Sequence, residues 1–291
     1  MRIILTRIFT LMLIVSLSGC AGGLFSSRPP VELEQAWASD NVFKTPESTL
    51  YDPQRNIIYV SNLNKSNKNR KDGDGFISKL GTDGEVEELY WVTGLNNPRG
   101  LALYNNVLYI ADIDEIVAVS TQSGAILGRY AAEGAEYLND VAIDEEGNVF
   151  VTDTEQKRVY QLRNGRVSTW LENTAREKPN GIFINGDRML VAFMSNGEVR
   201  YLDPQTKEFY DWVEGIPSAD GIARMANGGY FISSWDGEVF YVNEDGKKWS
   251  LLNTKGQKIN TADISYTDRL DLLLVPTFND NRVVAYDVSL R

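Results

Sequence analysis

Six short segments of the chain line up on one position: Glu47 in Pro46-Glu47-Ser48, Arg99 in Pro98-Arg99-Gly100-Leu101, Asn139 in Leu138-Asn139-Asp140-Val141, Asn180 in Pro179-Asn180-Gly181-Ile182, Asp220 in Ala219-Asp220-Gly221-Ile222, and Ala262 in Thr261-Ala262-Asp263-Ile264. If these positions meet in space, Glu47, Asn139, Asn180 and Asp220 offer four oxygen donors without nitrogen or sulfur. Two carboxylates and two amides suit a hard divalent cation. Calcium fits best, because it accepts about 6 to 8 oxygens in loose geometry, whereas magnesium resists a cage built mainly of protein ligands. The chain contains no histidine, which removes Ser-His-Asp and Cys-His nucleophilic chemistry, His-ligated zinc and an imidazole base. Proton transfer at such a site would therefore fall to a carboxylate, and Asp220 is the candidate.

The aligned residues 47, 99, 139, 180, 220 and 262 are separated by 52, 40, 41, 40 and 42 positions, a repeat of about forty residues. After each start come a short alternating strand, a polar turn such as Asp144-Glu145-Glu146-Gly147-Asn148, and second strands predicted at 57–60, 107–111, 149–152, 189–192, 230–233 and 272–275. Third strands are visible at 159–162, 198–202, 238–242 and 282–286, and Trp91, Tyr130, Trp170, Trp212 and Trp249 mark a fourth, outer strand, where packing is their expected role. Four short strands per forty-residue repeat predict an all-β, six-bladed β-propeller. The last repeat supplies three strands before Arg291, so the segment 31–37, which carries its own Trp37, should complete that blade and close the ring. In such a ring the inner strands begin at one rim of the central channel. The column of aligned residues would converge there and hold one calcium ion at the top of the channel.

Each candidate has a plainer reading beside it. Asn and Asp before Gly are also turn residues, which would explain Asn180 and Asp220 singly, though not Glu47. Arg99, in the same column, reads either as a clamp for an anionic substrate group or as the ion-pair partner of a neighbouring carboxylate. A second ring, Asn62, Asp112, Asp153, Ser234 and Thr277, follows the second strands and reads as residues supporting the site, Asp112 and Asp153 above all, or by default as turn caps. The stretch from Asp72 to Ile77 resembles the middle of an EF-hand, but the loop positions that carry its principal ligands fall on Arg70 and Gly81. The basic run Lys65, Lys68, Arg70 and Lys71 reads as a solvated face.

Twenty-nine basic against 40 acidic residues give a net charge of −11, which opposes nucleic acid and anionic membrane surfaces as partners. The first 19 residues have the form of a signal peptide, with Arg2 and Arg7 ahead of an apolar stretch too short to span a bilayer. Leu17-Ser18-Gly19-Cys20 then resembles a bacterial lipobox, and Cys20 is the only cysteine of the chain. The expectation is a lipoprotein attached to the membrane through Cys20, with residues 20–30 as tether and 31–291 as propeller. Ala21 after the cysteine resembles the sorting rule for the outer membrane, which places the protein in the cell envelope facing the periplasm.

Across residues 31–291 the chain resembles the six-bladed calcium propellers that include senescence marker protein (regucalcin), gluconolactonase, paraoxonase and diisopropyl fluorophosphatase. The resemblance rests on Glu47 ahead of Tyr51-Asp52, on the run from Asn139 to Asp144 before Glu146-Gly147-Asn148, on Pro179-Asn180-Gly181-Ile182, and on Ala219-Asp220-Gly221-Ile222. It implies that Glu47, Asn139, Asn180 and Asp220 hold a catalytic calcium, and that the substrate is a small lactone or ester, with a phosphotriester as close variant. The chain departs from the family at Glu47-Ser48-Thr49, where Glu-Gly-Pro is usual, in lacking any counterpart of the proton-shuttling histidine of paraoxonases, and at Ala223, where a second, structural calcium would want a carboxylate. The reading of a different class is a non-catalytic lipoprotein propeller whose rim docks a protein partner around a structural metal. The fold supports both readings.

Overall fold

A computed structural model describes residues 28–64, 70–175, 177–186 and 188–291. The expected signal peptide (1–19), Cys20 after it, and Lys65 and Lys68 of the basic run lie outside these residues. Alternating apolar and polar side chains, punctuated by tight turns, form six separate four-stranded antiparallel sheets. The first blade holds β2 (Pro46–Asp52), β3 (Ile57–Asn62), β4 (Gly75–Gly81) and β5 (Val86–Leu95). The second holds β6 (Pro98–Tyr104) to β9 (Ile126–Ala131), the third β10 (Leu138–Ile143) to β13 (Arg166–Leu171), the fourth β14 (Pro179–Asn185) to β17 (Phe209–Val213), and the fifth β18 (Ala219–Arg224) to β21 (Lys248–Asn253). In the sixth, β22 (Ser265–Thr267), β23 (Leu272–Thr277) and β24 (Arg282–Leu290) are joined by β1 (Val31–Ala38), so the N-terminal strand closes the ring as the sequence predicts.

The cores lie between neighbouring blades. One cluster joins Leu190, Val199 and Val213 of the fourth blade to Ile222, Ile232 and Phe240 of the fifth. The outer-strand tryptophans pack as expected. Trp212 meets Tyr230 of the next blade edge-on at 5.0 Å, and the Trp37 indole N–H donates to the Thr82 carbonyl of the first blade at 2.8 Å. Trp91 and Trp170 lie against Tyr59 and Phe150 of their own blades, with ring centroids at 4.9 and 5.1 Å.

One feature of the inner strands determines what reaches the channel. In each of the first five blades the inner strand carries one extra residue against its neighbour, between Pro46 and Thr49, Pro98 and Leu101, Leu138 and Val141, Pro179 and Ile182, and Ala219 and Ile222. A bulge of this kind re-aims side chains and leaves an amide without a ladder partner. Hydroxyls of the second strands take up these amides: Ser61 accepts from Ser48 N–H, Thr152 from Asp140 N–H and Ser233 from Gly221 N–H, at 2.8 to 3.0 Å.

The bulges also correct the turn reading of the Asn-Gly and Asp-Gly pairs. Asn180-Gly181 and Asp220-Gly221 lie inside β14 and β18, and neither glycine has a positive φ. They are glycines because adjacent inner strands touch there: a Cβ on Gly181 would stand 2.0 Å from the Asp220 carbonyl oxygen. One on Gly221 would stand 2.5 Å from the Ile264 amide nitrogen.

Candidate functional site

The bulges bring five of the six column residues, Glu47, Arg99, Asn139, Asn180 and Asp220, to the wall of a single cavity of about 400 Å³ at one mouth of the channel. All five are buried. The sixth, Ala262, is buried beneath Leu63, Trp235 and Phe278, which form an apolar cluster with it. Arg99 makes a loose ion pair with Glu47, Nη1 to Oε1 at 3.7 Å, and its guanidinium lies over the Tyr137 ring at 4.1 Å. Of its two readings, the ion pair is present, and the guanidinium faces the cavity as well.

Hydrogen bonds orient the two amides. Thr154 donates to the Pro179 carbonyl at 2.7 Å, so its hydroxyl oxygen receives the Asn139 Nδ2 proton at 3.0 Å. This leaves Oδ1 as the remaining polar atom of Asn139. Asn180 hydrogen-bonds to the Asp220 carboxylate. Even so, Glu47 Oε2, Asn180 Oδ1 and Asp220 Oδ2 are buried with no hydrogen-bond partner. Three of the four expected ligands thus each point an oxygen that nothing in the protein satisfies, at a cost of about 1 to 3 kcal/mol per group. A bound cation would satisfy all three, so the donor set fits calcium. Among the described residues no three acidic or sulfur-bearing side chains cluster as a metal site by themselves, consistent with a set in which amides supply half the donors.

Burial also shifts the acids of the channel. Burial pushes the Glu47 carboxyl up to about 8, against the downward pull of Arg99 and with a further upward push from Asp263. Burial raises Asp220 well above the usual carboxylate range, and the charges of Glu47 and Asp263 add to the effect. Burial likewise carries Asp263 to about 7, although the Ser48 hydroxyl donates to it at 2.5 Å. Four buried acids, Glu47, Asp140, Asp220 and Asp263, share the channel with one nearby arginine. Asp140 and Asp263 occupy the position after the column and reach a second cavity of about 300 Å³ at the opposite mouth. The bulge between Leu138 and Val141 explains why Asp140 too faces the channel, whereas Asp263 lies just ahead of β22, where its segment runs beside Ser48; the sequence reading placed neither.

The second ring is placed one residue away from the cavity. Asp112 accepts the Asn96 and Asn97 amides at 2.9 and 2.5 Å, and Asp153 accepts those of Glu136, Glu155 and Gln156 at 2.8 to 3.1 Å. Asn62 accepts the Lys44 amide, and the Ser234 and Thr277 hydroxyls donate to backbone carbonyls. All five fasten turns and none lines the cavity. The residues immediately after four of them do: Leu63, Thr154, Trp235 and Phe278, together with Met194 at the equivalent place in the fourth blade. Alternation along a strand supplies the reason, since a shift of one residue moves a side chain to the other face. Among the described residues of the basic run, Arg70 pairs with Asp72 and Lys71 with Asp114, as a solvated face would.

No family model and no curated protein sequence matches the chain. Solved structures do. A protein described as a candidate gluconolactonase superposes with a TM-score of 0.67 at 17% identity, over 91% of this chain and 94% of that one. The chain shares the fold of that structure. At such identity the likeness carries the fold alone. A streptogramin B lyase superposes on the chain with a TM-score of 0.64 at 10% identity, over 90% of this chain and 98% of the lyase. A catalytically inactive histidine-to-alanine variant of virginiamycin B lyase from Staphylococcus aureus, with quinupristin, gives 0.62 at 12% identity, over 90% and 100%.

Proposed function

We propose that this gluconolactonase-like propeller is a calcium-dependent hydrolase of a small lactone or related ester, tethered to the membrane as a lipoprotein. The observation that carries the reading is the set of three unsatisfied buried oxygens, Glu47 Oε2, Asn180 Oδ1 and Asp220 Oδ2, on residues that line one cavity. Glu47, Asn139, Asn180 and Asp220 would hold the ion, which when bound supplies Lewis-acid polarisation of a carbonyl oxygen. Asp220 would take the proton of the attacking water or attack the carbonyl itself, either of which a carboxylate can do without histidine. Asn139 and Asn180 can only position. Arg99 would neutralise charge on that side of the cavity. Lyase chemistry that depends on the histidine replaced in the inactive virginiamycin B lyase variant has no counterpart in a chain without histidine. The testing experiment is a panel of lactones, aryl esters and phosphotriesters assayed with calcium and with chelator. Turnover that chelator abolishes is expected; a calcium-loaded protein that hydrolyses nothing would favour the docking scaffold.

Calcium should raise the melting temperature, and more at pH 8 than at pH 5. Between the ordinary carboxylate range and about 8, the unfolded chain releases the Glu47 proton while the metal-free fold retains it. The metal-free fold therefore loses stability as pH rises through that window. Calcium binds the deprotonated ligands, so its stabilisation grows over the same window. At a free concentration a hundredfold above the dissociation constant it amounts to about 2.7 kcal/mol. Scanning calorimetry at both pH values checks this; identical melting curves with calcium and with chelator would overturn the metal assignment.

The strand directions bear on the tether. Thr277, beside the cavity residue Phe278, pairs with Arg282, while Val31 pairs with Leu290 at the other end of β24. Residue 31 thus leaves the face opposite the cavity. A lipid on Cys20 would therefore attach through the face that lies opposite the site. Membrane fractionation and lipid labelling of the wild type, both lost in Cys20→Ser, are the expected results.

A further inference from the structure

Around the column, the cavity wall divides into two arcs of unlike chemistry. Arg99, Tyr137, Asn139, Glu155 and Lys178 form a polar arc contributed by the second to fourth blades and the segments that lead into them. Lys178 and Glu155 pair there at 2.7 Å. Leu63, Met194, Trp235 and Phe278, from the first, fourth, fifth and sixth blades, form the facing arc. It is continuous down to the channel, because Ala262 places a methyl group where the other five blades carry polar side chains. Trp235 meets Phe278 edge-on at 4.6 Å, and Leu63 and Phe278 are buried while Trp235 and Met194 are half-buried. Trp235 is also the one tryptophan among the lining residues, the others being placed on outer strands.

A polyhydroxylated ring needs hydrogen-bond partners on every side it buries, since a buried hydroxyl without one is costly. Of these four side chains, only the Trp235 indole offers a conventional donor, and none offers a strong acceptor. Hydrocarbon gains from the same wall. We propose that the substrate carries a hydrocarbon arm, an alkyl chain or aryl ring, which lies against Leu63, Met194, Trp235 and Phe278 while its hydrolysable head faces the column. The assignment rests on the hydrolase reading of the same cavity and narrows it to apolar-substituted rather than sugar-like lactones and esters.

The test uses γ-lactones with linear side chains of zero to eight carbons, together with the corresponding hydroxy acids as ligands that need no turnover. Binding is followed by calorimetry and, for the wild type, by tryptophan fluorescence. The expected result is a rise in affinity and in kcat/KM of about fourfold per methylene until the arm covers the arc. Met194→Glu and Trp235→Ala, each first shown by melting to be folded, should flatten the series, lowering the ratio between the longest and the unsubstituted member at least tenfold. Met194→Glu keeps the test decisive if the smaller residue at 235 impairs folding. Equal affinity across the series in the wild type, or a ratio untouched in both variants, would overturn the assignment. Chain-length-dependent binding of the hydroxy acids without hydrolysis of any lactone would sustain the arm and remove the hydrolase reading. Hydrolysis without any dependence on chain length would do the reverse.

Discussion

Asp220→Asn should reduce turnover by about 10² to 10⁴ at saturating calcium while leaving a folded protein that still binds the ion, more weakly. The substitution keeps the size of the side chain and an oxygen donor, and it removes only the carboxylate. Asp220 already resists ionisation, because it is buried and lies near the charges of Glu47 and Asp263. An amide relieves that repulsion, so the metal-free variant should melt no lower than the metal-free wild type. Catalysis and stability then move in opposite directions, as expected where a destabilising group is retained for function. Asn180→Ala makes the contrast. It deletes a ligand and leaves the base, so excess calcium should recover much of its activity. Measuring kcat against calcium concentration for both variants separates the two roles. Full activity in Asp220→Asn would move the base elsewhere, and Asp153 would not be its successor, since turn amides occupy its carboxylate.

The architecture was legible because a propeller writes its period into the chain. The third strands expected at 198–202 and 238–242 are β16 and β20 to the residue, and the closing strand expected at 31–37 is β1 to within one. The convergence of Glu47, Arg99, Asn139, Asn180 and Asp220 on one cavity followed from the same period. What the sequence concealed was fine register. A bulge adds a single residue, and no composition rule marks it except the glycine that the close approach of strands demands, as at Gly181. Simple alternation would turn Asp140, next to Asn139, away from the channel, and the bulge reverses that. At the ends of the second strands the same one-residue ambiguity favoured polar Asp112 and Asp153 over their neighbours. Residue type alone drew attention to the carboxylates. Yet at these ends the carboxylates hold turns, and apolar Leu63, Trp235 and Phe278 line the cavity. A usable signal existed in Trp235, the one tryptophan that breaks the outer-strand period.

Removal of β1 should lower the melting temperature by roughly 10 to 20 °C. Seven residue pairs join β1 to β24, from Val31 with Leu290 to Ala38 with Val284. Val31 is fully buried in a cluster with Ala223, Phe231, Leu273 and Val275, so it binds the sixth blade to the fifth. Trp37 packs against the cluster that includes Tyr51, Leu80 and Leu272, and its indole N–H crosses to Thr82 of the first blade, so it binds the sixth blade to the first. Losing one buried valine and one largely buried tryptophan costs about 5 kcal/mol. At about 2 to 4 °C per kcal/mol for a domain of this size, that gives the stated shift. The loss also exposes the edge of β24, and an unpaired edge invites pairing between molecules. A chain beginning at Ser39 should therefore self-associate more than one beginning at Arg28, a difference that sedimentation resolves. Trp37→Phe isolates the clasp to Thr82: most of the packing remains, one hydrogen bond is lost, and a fall of only a few degrees is expected. An unchanged melting temperature after removal of the whole strand would mean that the sixth blade is held by its three C-terminal strands alone.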